Sequence, residues 1–124
     1  MNWTDLLVVG IGGALGAVAR FVVDAVVRLN FRTQIPIGTV AINVSGSLLL
    51  GLLTGLVMYH GAPSMLTTVA GTGFCGGYTT FSTASFETVR LVQQGLPRSA
   101  LTNSAVTLVG ALGAGGVGLA VAHL

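Results

Sequence analysis

The chain has 124 residues, of which 52% are hydrophobic and only 6% charged, with a mean hydropathy of +0.89. Soluble domains carry roughly a quarter charged residues. Five Arg, no Lys, two Asp and one Glu cannot solvate a globular surface, so the surrounding solvent is lipid. A net charge of +2 spread this thinly excludes a nucleic-acid footprint, and one cysteine excludes a disulfide framework or a thiolate metal cluster.

The opening MNWTDLLVVG has no basic region of the kind that starts a signal peptide, and the first apolar segment is expected to be a retained helix. Four apolar stretches follow one another at 5–27, 36–58, 65–90 and 99–122. Each is near the roughly 20 residues that span a bilayer. They are separated by the short polar breaks RLNFRTQIP, YHGAPS and QQGLPRS. Pro36, Pro63 and Pro97 fall at the first turn of the segment that follows, where a missing N–H costs nothing. The expectation is an all-α membrane protein of four transmembrane helices, a single domain over 1–124, in the cell membrane.

Nineteen glycines imply close approach of helix backbones. Small residues four apart occur at Gly12/Gly16, Gly51/Gly55 and Gly73/Gly77, a spacing that lets membrane helices pack tightly. It serves packing within the chain or an interface between chains. Four helices can hardly enclose a polar path alone, which points to a dimer.

The charges are one-sided. Arg28 and Arg32 lie in the first connection, and Arg90 and Arg98 flank the third. The side of the N-terminus, second connection and C-terminus carries only Asp5, His60 and His123. The positive-inside rule places the first and third connections in the cytoplasm. Trp3 and Tyr59 fit an aromatic belt on the outer side, and both histidines read as solvated. Arg20, near the inner end of the first helix, reads as snorkelling or as a fixed charge at a vestibule, with Asp24 at i+4 as a local partner. Glu87 and Arg90 read as a similar pair.

Polar residues within the apolar stretches form stripes. Thr39, Asn43, Ser47 and Gly51 lie at successive i+4 positions of the second helix, and Ser99, Asn103 and Thr107 do so on the fourth. Asn43 reads as a helix–helix hydrogen bond or as a donor lining an ion path. Two stripes of hydroxyls and amides without a carboxylate favour an anion or a neutral solute over a cation or proton relay. No nucleophile–base constellation and no metal-ligand spacing supports an enzyme.

The third stretch holds GFCGGYTTFSTASFE at 73–87. Gly76 and Gly77 followed by Tyr78-Thr79-Thr80 make a poor helix interior. Unwound backbone at membrane depth is tolerated only when buried in protein or lining a cavity. A break there would free carbonyls for a cation or N–H groups for an anion. Phe81 follows directly, and the positive rim of an aromatic ring can face an anion.

Together with GGALGAVARF at 12–21 and GTVAINVSGSLLLG at 38–51, this block resembles the Fluc (CrcB) family of fluoride channels along nearly the full chain. The resemblance implies an antiparallel, inverted dimer with two passive fluoride pores at the subunit interface and a third helix broken near its middle. It implies a structural, untransported Na⁺ held by the main-chain carbonyls of Gly76 and Thr79. Asn43 matches the pore-lining Asn, Phe81 the first of two pore phenylalanines, Ser82 and Thr83 the hydroxyls that follow, and Arg20 the Arg of the first block. Thr39 and Ser47 belong to the same stripe as Asn43. Asn103 and Thr107 stand where the family carries a Tyr and a Ser.

The second pore Phe is replaced by Ala84. With the one-sided arginines, this implies one half of a heterodimer with an inverted paralogue. The rival is a dual-topology homodimer that tolerates Ala84. A small multidrug-type exporter requires a mid-membrane carboxylate in the first helix, and Asp5 and Asp24 both lie near its ends.

Overall fold

The computed structural model describes residues 2–33 and 35–124; Met1, and Gln34 of the first connection, lie outside the described residues. Helix α1 spans Trp3–Asn30 and α2 spans Ile37–His60. The third apolar stretch is not one helix. Its first part, α3, begins as an α-helical turn at Ser64–Leu66, widens into a π-helix over Thr67–Cys75 and closes as α-helix at Gly76–Tyr78. After a break at 79–81 the chain resumes as α4, Ser82–Gln93. Helix α5 spans Pro97–His123. The described residues contain no strand.

Local chemistry sets the helix ends. The first helix starts earlier than its apolar stretch because Asn2 and Asp5 form a reciprocal capping box: Asp5 N–H donates to Asn2 Oδ1 (2.9 Å) and Asn2 N–H to Asp5 Oδ2 (3.1 Å). Two glycines in the left-handed region, Gly61 (φ +67°) and Gly95 (φ +77°), end α2 and turn the chain after α4. Pro97 sits in the first turn of α5.

Helices α1, α2 and α5 are each long and apolar enough to cross a membrane. They pack as two close pairs. In the α1–α3 pair, a Cβ added at Gly16 would strike the Phe74 carbonyl, and one at Gly77 the Gly13 carbonyl. In the α2–α5 pair, a Cβ at Gly51 would strike Gly115, one at Gly55 the Ala122 methyl, and one at Gly118 the Leu48 carbonyl. The spaced glycines Gly12/Gly16, Gly51/Gly55 and Gly73/Gly77 thus serve packing within the chain.

The two ends of the molecule differ. At one end, Arg28 pairs with Asp24 (2.9 Å) and lies 4.0 Å from Glu87, and a cavity of about 300 Å³ joins the α1–α2 connection to the C-terminal half of α4. The first and third connections, which carry the arginines, therefore share an end. At the other end, His60 Nε2 meets the Ala122 carbonyl at 2.5 Å, and the rings of Tyr59 and His123 pack edge to face at 4.7 Å. Both histidines are exposed, as their place at the helix ends implies, and each also makes one contact with a neighbouring helix end. Each falls in the last turn of its helix, where the backbone carbonyls look for donors.

Candidate functional site

The break between α3 and α4 organises the polar residues. Thr79 is extended (φ −81°, ψ 159°), so the i+4 hydrogen-bond ladder stops there. Backbone groups freed at this depth need other partners. Asn43 supplies them from α2: its Nδ2 donates to the Thr80 carbonyl (2.9 Å) and its Oδ1 accepts from the Thr80 N–H (2.8 Å). One side-chain amide replaces both lost backbone bonds of a single residue. The Thr80 hydroxyl in turn accepts from the Thr83 N–H (3.2 Å), satisfying a first-turn donor of α4. Asn43 thus bonds from α2 to the break itself, not to another helix, and one Nδ2 N–H remains beyond these two bonds.

The clamp leaves other carbonyls open. The N–H that would reach the Gly76 carbonyl four residues on belongs to Thr80, and Asn43 has taken it. Among the described residues no hydrogen bond reaches the carbonyl of Gly76 or of Thr79. Both residues border an open groove of about 820 Å³ that runs between α2, α3, α4 and α5. Hard, uncharged oxygen donors of this kind suit a small monovalent cation, so the two residues fit the ion that the resemblance implies.

The same groove gathers Asn43, Ser47, Phe81, Ala84, Thr88, Asn103 and Thr107. Phe81 projects from the break with 87% of its surface exposed. Asn103 is the reverse case, 1% exposed, with its Nδ2 donating to Thr88 Oγ1 (2.9 Å). Thr88 Oγ1 passes the bond on to the Ala84 carbonyl (2.9 Å). Asn103 Oδ1 and Thr107 Oγ1 are buried without a hydrogen-bond partner among the described residues. Asn43 and Ser47 of the α2 stripe and Asn103 and Thr107 of the α5 stripe thus share one groove.

Other expected residues lie elsewhere. Thr39 is buried and donates to Glu87 Oε1 (2.5 Å), away from the groove. Ser82 and Thr83 are exposed at the start of α4 and do not line it. Arg20 is half-buried and makes no ion pair with Asp24, whose carboxylate turns instead to Arg28 and to the start of α2 beside Gly38. A carboxylate is favourable at that positive helix end. Nor do Glu87 and Arg90 pair, because Glu87 faces Thr39 and Arg28. Sequence reasoning missed Thr88. It lies at i+4 from Ala84, and only the geometry shows that it carries the bond between α4 and α5.

Long apolar helices, glycine-mediated packing and a polar groove beside a broken helix define a multi-pass membrane protein. The sequence model of the CrcB-like (Camphor Resistance) family matches residues 7–119, and the chain belongs to that family. It is 54% identical over 114 residues to the Fluoride-specific ion channel FluC 1 of Leifsonia xyli, covering 92% of this chain and 83% of the relative. It is 42% identical over 108 residues to the Fluoride-specific ion channel FluC of Methanocaldococcus jannaschii, covering 87% and 86%. With the protein of the same name from Nitrobacter winogradskyi it shares 44% identity over 119 residues, covering 93% and 94%. These relatives are named as channels, not as enzymes.

Proposed function

We propose that the chain is one subunit of a passive, fluoride-selective channel that lets cytoplasmic fluoride leave down its electrochemical gradient. The observation that carries this reading is the Asn43–Thr80 clamp beside the groove: it holds a helix break at membrane depth and directs hydroxyls and amides, without a carboxylate, along one face. The names of the relatives supply the ion. Fluoride is small and strongly hydrated, so its water must be replaced by donors at short range. The remaining Asn43 N–H and the hydroxyls of Ser47 and Thr107 can do this. The exposed ring of Phe81 can offer its positive rim. Thr39, Ser82, Thr83 and Arg20 belong to the approaches to this path.

The groove is open on one side, so a second subunit is needed to close it. The proposed assembly is an antiparallel dimer of four-span subunits in which the broken α3–α4 segment makes the third crossing. The carbonyls of Gly76 and Thr79 would hold Na⁺ at its centre. There the cation would offset the cost of anions held nearby. Ala84, in place of a second ring, and the arginines gathered at one end favour an inverted paralogue as the partner over a second copy.

The test is fluoride efflux from liposomes containing this chain alone, in Na⁺ buffer, with chloride as control. Fluoride-selective efflux establishes the channel and a functional homodimer. Efflux that appears only when an inverted paralogue is co-reconstituted establishes the heterodimer. Selective efflux that survives both Asn43→Ala and Phe81→Ala overturns the assigned path.

A further inference from the structure

Thr79 opens the break between α3 and α4, and its surroundings fix the direction of its carbonyl. The peptide that joins it to Thr80 is planar and trans, so its C=O and N–H point opposite ways. The N–H, that of Thr80, is held by Asn43 Oδ1 at 2.8 Å. The Thr79 carbonyl therefore points away from the Asn43 amide. The two ends of that amide cannot be exchanged, because Thr80 offers it one obligate donor and one obligate acceptor.

The Thr79 side chain is held from two directions. Its hydroxyl turns back along α3 and donates to the Cys75 carbonyl (2.7 Å). Its methyl faces α2 at Gly46, where an added Cβ would strike it and come within 3.2 Å of the Tyr78 ring. Glycine in a helix interior costs about 1 kcal/mol relative to alanine, so this notch comes at the expense of α2. Tyr78, the residue before, is buried and tied to the same stretch of α2. Its hydroxyl lies 2.9 Å from Ser45 Oγ, and Ser45 donates to the Ile42 carbonyl at 3.2 Å. With the Ser45 proton engaged there, Tyr78 is the donor of the pair. Ser45, Gly46 and Asn43 thus hold Tyr78, Thr79 and Thr80 respectively. Gly76 faces the other way: a Cβ added there would meet nothing within 4 Å among the described residues.

We propose that Gly46 and the Ser45–Tyr78 pair are positioning residues for the cation site at the Gly76 and Thr79 carbonyls. None of the three touches the ion; they act through Thr79. Asn43 keeps Thr80 in place, so a push at Gly46 or a release of Tyr78 is taken up at Thr79, whose carbonyl then turns. A bound ion tolerates only about 0.5 Å and 10–20° of such error before its ligands cease to fit. The inference rests on the proposed Na⁺ site and assigns its geometry to one turn of α2.

The experiment uses the assembly purified from membrane together with any partner it brings. It is unfolded by heat at a series of Na⁺ concentrations, with N-methylglucamine holding the ionic strength constant. The rise of the unfolding temperature with Na⁺ yields the Kd of the ion. Gly46→Ala is expected to raise that Kd about tenfold, the equivalent of one contact to an ion. Tyr78→Phe and Ser45→Ala break the same hydrogen bond, so each should raise it about threefold and the double variant no further. Gly55→Ala is the packing control: its Cβ would strike the Ala122 methyl of α5, away from the break. It should lower the unfolding temperature at every Na⁺ concentration and leave the Kd unchanged.

A Na⁺-dependent wild type with unchanged Kd in Gly46→Ala and Tyr78→Phe overturns the inference and leaves the cation site standing. So does a Kd shift in Gly55→Ala as large as in Gly46→Ala, because the effect would then be one of packing. Should Gly46→Ala fail to fold, Tyr78→Phe and Ser45→Ala decide the matter by the same measurement. A wild type whose unfolding is indifferent to Na⁺ overturns the cation site and this inference with it.

Discussion

At the scale of single residues, Asn43 and Phe81 do different work. Asn43→Ala would leave both backbone groups of Thr80 unpaired in a buried break, at about 1–3 kcal/mol for each. It is expected to lower the unfolding temperature in detergent and to abolish efflux together. Asn43→Asp keeps an acceptor for the Thr80 N–H but sets a negative charge beside the proposed anion path, so it should cost less stability and still stop fluoride. If Asn43→Asp conducted like the wild type, the anion path would not pass this residue. Phe81, by contrast, is exposed in the isolated chain, so Phe81→Ala should leave the unfolding free energy of the subunit within about 0.5 kcal/mol of the wild type while reducing efflux. The stripe of Thr39, Asn43 and Ser47 was legible from spacing alone. Its three fates were not: Thr39 meets Glu87, Asn43 meets Thr80 and Ser47 faces the groove. Periodicity identifies a shared helix face, whereas the partner across that face depends on where the third segment breaks.

At the scale of elements, the apolar stretches, their order and the weak helix at 76–80 could be read from composition and glycine chemistry. The π-helix over Thr67–Cys75, which packs against α1 and α2, could not, because i+5 bonding leaves no distinct residue pattern. The glycines that make this packing possible differ in consequence. Gly16→Leu forces a side chain into the backbone of α3 and should yield no monodisperse folded protein. Gly10→Leu, in open space on the same helix, should purify like the wild type. Equal yields from the two would mean that the α1–α3 approach is looser than the structure has it. The break makes a further prediction about Na⁺. Exchanging Na⁺ for N-methylglucamine should lower the unfolding temperature of the proposed dimer and slow efflux, since the Gly76 and Thr79 carbonyls lose the cation proposed to satisfy them. An unfolding temperature indifferent to Na⁺ would remove the cation from those carbonyls.

At the scale of the whole molecule, the distribution of arginines decides what assembly is possible. Arg28 and Arg90 line the cavity at one end, which brings the first and third connections together there, and His60 with His123 marks the other end. Charge of one sign at one end orients a chain during insertion, because Lys and Arg in short loops are retained on the cytoplasmic side. A homodimer of inverted subunits needs copies inserted both ways; a one-sided chain supplies only one. A reporter fused after Leu124 should therefore show a single orientation, with the C-terminus outside. Replacing Arg28, Arg32, Arg90 and Arg98 together by Gln should produce both orientations. If the inverted partner is the missing component, that neutralised variant should gain fluoride efflux on its own where the parent chain has none, since it can now provide both halves of the dimer. Equal insertion of the parent chain in both orientations would sink the heterodimer and leave the homodimer with Ala84 in its pores.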